Sequence, residues 1–181
     1  AYYSDIFQKA KTKAEIQGYK GVRWPKMTDS YGNDSPSGVG ELLIWQQPHI
    51  VYYAELCYQQ NPTKETLKKY EKLISATADF MADFARWDEQ NKRYILGPPL
   101  IPAQESLEKE ITFNPPFELA YWYWGLSTAQ KWQERLGNSK NDKWQAVIDG
   151  LPTFAKKDGL YLAAESAPDS YDNEDYFSDH P

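Results

Sequence analysis

One stretch constrains this chain more than any other: the block that opens with Asn114-Pro115-Pro116 and closes with Leu136-Gly137. Proline is tolerated in the first turn of a helix, where its missing N–H would be unbonded anyway. Glycine readily takes the left-handed conformation that ends one. The block is therefore expected to be a long helix with both ends fixed. Apolar residues at helical spacing, Phe117, Tyr121, Trp124, Thr128 and Trp132 with Arg135 at the end, are read as its core-facing stripe. Glu118 and Trp122, four apart, share a different face.

The same signals recur along the chain. A first helix is expected over 4–17, capped by Ser4 and ended by Gly18, with Ile6, Phe7, Ala10, Ala14 and, at its edge, Ile16 on one face. A second spans 41–60, with a kink or a new start near Gln47 because Pro48 interrupts the pattern. A third follows Asn61-Pro62, with Asn61 as its cap and Leu67, Tyr70, Ile74, Thr77, Ala78, Met81, Phe84 and Ala85 as its stripe. A last helix covers about 142–149, and Tyr94-Ile95-Leu96 and Tyr161-Leu162-Ala163 read as short extended pieces, the latter after an Asp158-Gly159 turn. The layout is all-α, with about five main helices in antiparallel hairpins. Short turns alternate with long loops, which puts the long loops at one end. No fixed period of about 34 residues appears, which argues against a tetratricopeptide array.

The net charge of −6 disfavours a nucleic-acid partner, which wants a basic face. No apolar run reaches the roughly 18 residues of a membrane span. Cys57 is alone and His49 and His180 are the only histidines, so no zinc cluster is expected and no metal or other cofactor is indicated. Phosphate-binding glycine loops, dinucleotide fingerprints and a serine-hydrolase elbow are absent. The unusual number is an aromatic fraction of 15%, with seven Trp and fourteen Tyr, against only 41% hydrophobic residues. Tyr and Trp carry a flat apolar face and a polar tip, which suits the apolar face and polar rim of a sugar ring. Roughly two-thirds of them are expected to serve the core.

Glycosidic cleavage needs a carboxylic acid that keeps its proton near neutral pH, and an inverting enzyme adds a base carboxylate about 6.5–9.5 Å away. Glu105 ends a proline-stiffened apolar run, Leu100-Ile101-Pro102-Ala103-Gln104, and is the candidate acid; capping of the next segment is the plainer alternative. In Arg23-Trp24-Pro25-Lys26 two cations flank a Trp held extended by a proline, a set that can bind sugar hydroxyls. Trp45-Gln46-Gln47-Pro48-His49 offers donors and acceptors beside the helix break, again suited to hydroxyls, although a lone His is more often structural. Glu55 is a buried partner or a second site carboxylate. Glu118 and Trp122 are candidate substrate contacts, and Glu118 is equally explained as a first-turn anion.

The runs GYKGVRWPKM, LLIWQQPHIVYYAELCY, LGPPLIPAQES, TFNPPFELAYWYWGL and DGLYLAAES together resemble a family of bacterial six-hairpin glycoside hydrolases, similar at a distance to maltose- and kojibiose-type phosphorylases and hydrolases. The resemblance covers nearly the whole chain. It implies an (α/α)6 toroid, an oligo- or polysaccharide substrate, and a periplasmic or extracellular location. It places the acid on Glu105, with Gln104 standing where the relatives carry Asp and no His following. It implies a sugar-lining loop at Arg23-Trp24-Pro25, and a base either at Glu165 or beyond Pro181.

A six-hairpin toroid needs twelve helices, on the order of 350 residues at mean helix and loop lengths. This chain is therefore expected to be part of a catalytic domain, ending at Ser178-Asp179-His180-Pro181 within a family motif, or one that completes its core by self-association. Two other classes stay open: a non-catalytic carbohydrate-binding module and a helical scaffold for a protein partner. Convergence of Trp24, His49, Glu105 and Trp122 on one cleft would favour the sugar readings. A scaffold would scatter its aromatics along an exposed helix face.

Overall fold

The computed structural model of the chain describes residues 2–177; the motif read at 178–181 lies outside the described residues. Helices dominate, with two small two-stranded antiparallel sheets. The N-terminal helix is broken into α1 (Tyr2–Asp5) and α2 (Phe7–Ile16), so Ser4 lies inside α1 and does not cap. Gly18, at φ +83°, ends α2 as expected, with its N–H donating to Glu15 O and that of Tyr19 to Ala14 O. Next comes α3 (His49–Gln60). Pro48 serves as its N-cap: of the two expectations at this proline the new start holds, and residues 41–48 form turns.

The helix α4 (Lys64–Phe84) begins two residues later than Asn61 would place it. Thr63 caps it, its Oγ1 accepting the Thr66 N–H at 3.2 Å, while Asn61 caps the C-terminus of α3. A threonine in extended conformation can satisfy a first-turn donor; Asn61 is already committed to ending the preceding helix. The strands β1 (Arg86–Asp88) and β2 (Arg93–Ile95) form a hairpin. Both ends of α5 (Pro116–Leu136) fall where its prolines and Gly137, at φ +82°, require. Asn141 caps α6 (Asp142–Gly150), and β3 (Lys156–Lys157) turns through Asp158-Gly159 into β4 (Leu160–Tyr161).

The centre of the core is α4, packed against α3, α5 and α6. The indole Nε1 of Trp122 donates to Met81 O at 2.8 Å, and that of Trp132 to Leu67 O at 3.1 Å. The beginning of α5 therefore meets the end of α4, and the two run antiparallel. Helices α3 and α5 lie side by side and parallel. Glu55 takes a two-pronged contact from Arg135 at 2.5 and 3.0 Å, and His49 meets Tyr121 nearer the N-termini. Connections 61–63 and 137–141 are short and share one end. The long segments 17–48, 85–115 and 151–177 all fall at the opposite end, as the alternation of loop lengths predicts.

The expected core stripe of α5 is corrected. Thr128 and Trp132 are buried as expected, but so are Glu118, Leu119, Trp122, Gly125, Leu126, Ala129 and Gln130, whereas Phe117 is 55% exposed and Tyr121, Trp124 and Arg135 are half-buried. The helix is apolar on two faces, and periodicity alone does not say which one meets α4. The aromatic residues also divide by type. Four of the seven Trp are buried (Trp24, Trp122, Trp132, Trp144) and no Tyr is. An indole N–H needs only one acceptor, which a backbone carbonyl, a hydroxyl or, for Trp144, the Asp79 carboxylate supplies here. Every tyrosine stays at least partly exposed. The core share is therefore smaller than the two-thirds expected.

Candidate functional site

The loop end is held together by backbone pairing between segments remote in sequence. Gly21 lies so close to α4 that a Cβ there would collide with Ala76 O and Phe80 N, and its φ of +74° suits glycine alone. This approach lets the Val22 N–H donate to Ala76 O at 3.1 Å and sets Arg23-Trp24 against α4. Gln47, fully buried, then ties the segment down: its Oε1 accepts the Trp24 N–H at 2.8 Å and its Nε2 donates to Val22 O at 2.7 Å. Leu43 and Ile101 pair in a parallel bridge, with the Ile101 N–H donating to Leu42 O at 3.1 Å. Three stretches singled out in the sequence (19–27, 41–49 and 97–105) thus form one cluster over the N-termini of α3 and α5.

Two open cavities meet there at His49. The first, about 500 Å³, is an aromatic groove between α3 and α5 lined by His49, Tyr52, Tyr53, Phe117, Tyr121 and Trp124. The second, about 520 Å³, is more polar and is bounded by Tyr3, Trp24, Lys26, Thr28, Trp45 and Gln46, together with His49. The His49 ring sits among aromatic rings, 5.3 Å from Trp45, 5.9 Å from Tyr53 and 5.5 Å from Tyr121. Its Nδ1 is hydrogen-bonded to the Tyr121 hydroxyl at 2.9 Å. Burial lowers the His49 pKa, favouring a neutral ring that can donate from one nitrogen and accept at the other. Burial, reinforced by Tyr53, pushes the Tyr3 hydroxyl up to about 12, and burial also raises Tyr121; both remain O–H groups at neutral pH.

Lys26, at the polar cavity, pairs with the Glu105 carboxylate, joining the 19–27 loop to the 97–105 loop. Glu105 has φ +60° and sits in a turn closed by its N–H to Pro102 O at 2.9 Å; its side chain is 20% exposed, and Gln104 beside it is half-buried. Two polar atoms of the polar cavity's lining residues, Gln46 Oε1 and Trp45 Nε1, are buried without a partner among the described residues. Buried polar atoms are normally satisfied, so these are the groups a hydroxyl-rich ligand could engage after a small shift.

The candidates separate into two sets. Lys26, Trp45, Gln46, His49 and Glu105 gather at the loop end. Arg23 does not face a ligand: it is 2% exposed, donates to Glu41 O and Leu43 O, and lies 5.4 Å from the Phe80 ring centre. Desolvation lowers its pKa to about 10. Gln47 is equally committed to backbone. Trp24 lies beneath the polar cavity, 2% exposed, with its indole N–H on Thr77 Oγ1 at 2.8 Å, and Trp122 is wholly in the core. Trp24, His49, Glu105 and Trp122 therefore do not converge as four ligand contacts. Glu165 has each oxygen engaged, one by Arg93 and the other by Asn114 Nδ2 at 2.8 Å. Glu55 is the structural partner of Arg135.

Glu118 is 1% exposed, and burial pushes its carboxyl up to about 7. Its Oε1 accepts the Ala103 N–H at 2.7 Å, and its Oε2 has no partner among the described residues. The groove residues Tyr52, Tyr53, Phe117, Tyr121 and Trp124 are absent from the sequence-derived candidates. The signal for them was present: an α5 pattern too rich in large apolar residues for a helix with one packed face.

No protein-family model matches the chain, and no curated protein matches it.

Proposed function

We propose that this chain is the loop-bearing part of an all-helical glycoside hydrolase of the (α/α)6 toroid type, acting on an oligo- or polysaccharide outside the cytoplasm. One observation carries the reading. An aromatic groove and a polar cavity share His49, and Lys26 at the polar cavity holds Glu105, the acid implied by the resemblance to six-hairpin hydrolases. Sugar rings stack on exposed Tyr, Phe and Trp faces while their hydroxyls need donors and acceptors at the rim. The groove's aromatics lie in the N-terminal halves of α3 and α5, beside the loops. That is the placement expected of a sugar site and not of a scaffold, which would spread them along a helix. Helical hairpins with all long loops at one end support the toroid reading.

In the proposed reaction the entering sugar displaces Lys26 from Glu105, which then takes up a proton and delivers it to the leaving oxygen, while a second carboxylate activates water with inversion. Glu165 is the weaker half of that pair, because both its oxygens are already hydrogen-bonded. The test is turnover of an oligo- and polysaccharide panel by this chain, and by any longer protein that contains it, against Glu105→Gln. The expected loss in kcat is at least about a hundredfold; a loss below about tenfold overturns the assignment. The aromatic groove favours one second reading, a non-catalytic sugar-binding module. It predicts saturable glycan binding, weakened by Trp124→Ala, with no turnover.

A further inference from the structure

We propose that Glu118 is a positioning residue: from the first turn of α5 it fixes the Pro102–Glu105 turn, and through it the Glu105 carboxyl, by accepting the Ala103 N–H. The proposal rests on Glu105 being the acid, since it assigns to Glu118 the job of aiming that group.

The segment before Glu105 is anchored at successive points. The Leu100 N–H donates to Lys109 O at 3.1 Å and that of Ile101 to Leu42 O at 3.1 Å. The Ala103 N–H donates to Glu118 Oε1 at 2.7 Å, and the Glu105 N–H closes the turn on Pro102 O at 2.9 Å. Three of these four acceptors are backbone carbonyls of loop residues. Glu118 alone ties the turn to a rigid helix, two residues from Glu105. A first-turn anion stabilised by the helix N-terminus needs no particular aim and works as well in solvent. Glu118 is instead 1% exposed, with one oxygen on the turn and the other without a partner among the described residues. Burying a half-satisfied carboxyl opposes stability, so its presence is explained by the one specific contact it makes. Its pKa of about 7 arises from that burial and not from a neighbouring charge. Either protonation state leaves Oε1 able to accept from Ala103.

The experiment compares Glu118→Gln, which keeps a carbonyl acceptor of the same reach, with Glu118→Met, which keeps the volume and removes the acceptor. Glu118→Asp, which draws the acceptor back by one methylene, serves as the second variant should the Met variant not fold. Amide hydrogen exchange is read at Ala103 and Glu105 and, as an internal control, at Ile74 and Ala78 in the core of α4. At about pH 5, where the folded wild type holds the Glu118 proton and Gln is its neutral match, the Met and Asp variants are expected to speed exchange at Ala103 and Glu105 by about tenfold or more without changing the α4 amides, while Gln stays near wild type. On a glycoside that the wild type turns over, Met and Asp are expected to lower kcat about ten- to a hundredfold with KM little changed, and Gln to restore it. Unchanged protection at Ala103, equal loosening of Ala103 and the α4 amides, or a loosened turn with unchanged kcat would each overturn the proposal. If the wild type turns over no glycoside yet the exchange pattern is as expected, the hydrolase reading fails while the anchoring of the turn by Glu118 is supported.

Discussion

The two apolar faces of α5 have nearly the same chemistry and opposite fates. On one, Leu119, Trp122, Leu126, Ala129 and Trp132 pack against α4 and are at most 1% exposed. On the other, Phe117, Tyr121 and Trp124 line an open groove with α3. Both recur at helical spacing and both are rich in aromatics. The difference lies in what the polar tips find. The indoles of Trp122 and Trp132 reach carbonyls of α4, so the polar tips of these core aromatics are satisfied inside the protein. The Tyr121 hydroxyl meets His49, another group that keeps a free polar edge. A face whose polar atoms are used up is a core face. A face whose polar atoms form a partly solvated cluster is available to a ligand.

Substitutions on the two faces can break this contrast. The largest effect is expected from Trp122→Ala. It leaves a cavity and removes one of the two donors to the Met81 carbonyl, the Ala85 N–H remaining, and should destabilise the fold by about 3–5 kcal/mol in urea unfolding. Trp124→Ala removes a half-buried ring that contacts Tyr52 and Tyr121; it should cost less, about 1–2 kcal/mol, and weaken sugar binding by about tenfold. Equal losses of stability from the two would erase the distinction.

Glu118, on the packed face, makes a pH-dependent prediction. Its folded pKa of about 7 lies above the ordinary 4.5, so the folded state holds a proton that the unfolded state has lost. Its contribution to stability is full below about pH 4.5, falls as pH rises toward 7 and is flat above. The difference between wild type and Glu118→Gln across that interval should be about 3 kcal/mol. A flat difference curve would mean that the carboxyl is solvated. His49, on the groove face, gives the smallest effect and the opposite sign. Burial lowers its pKa, so its contribution is present above 6.5 and fades as pH falls below that value. His49→Gln should remove this acid-side loss in the same titration, and an unchanged acid limb would place the ring in solvent.

The ends of α5 were legible because Pro115, Pro116 and Gly137 act locally, through ring geometry and a left-handed φ. Pro48 likewise starts α3, and the Asp158-Gly159 turn needs no distant partner. The start of α4 was misplaced by two residues because Asn61 and Thr63 are both competent caps, and only the end of α3 decides between them. Within the site, Lys26, Trp45, Gln46, His49 and Glu105 could be named from residue type and setting. Arg23 and Gln47 looked just as suitable for a ligand. Their guanidinium and amide are instead used to satisfy buried carbonyls and an N–H in neighbouring loops, contacts between residues about twenty positions apart that no local pattern records.

By itself the sequence determined the helices, their order and the grouping of long loops at one end, because periodicity, prolines and glycines act over a few residues. Only the tertiary structure decided which face of α5 is core, which polar side chains are spent on backbone, and that Glu118 reaches Ala103 while Lys26 reaches Glu105. Those outcomes depend on which segments pack together, and burial and hydrogen-bond satisfaction are settled jointly by all of them.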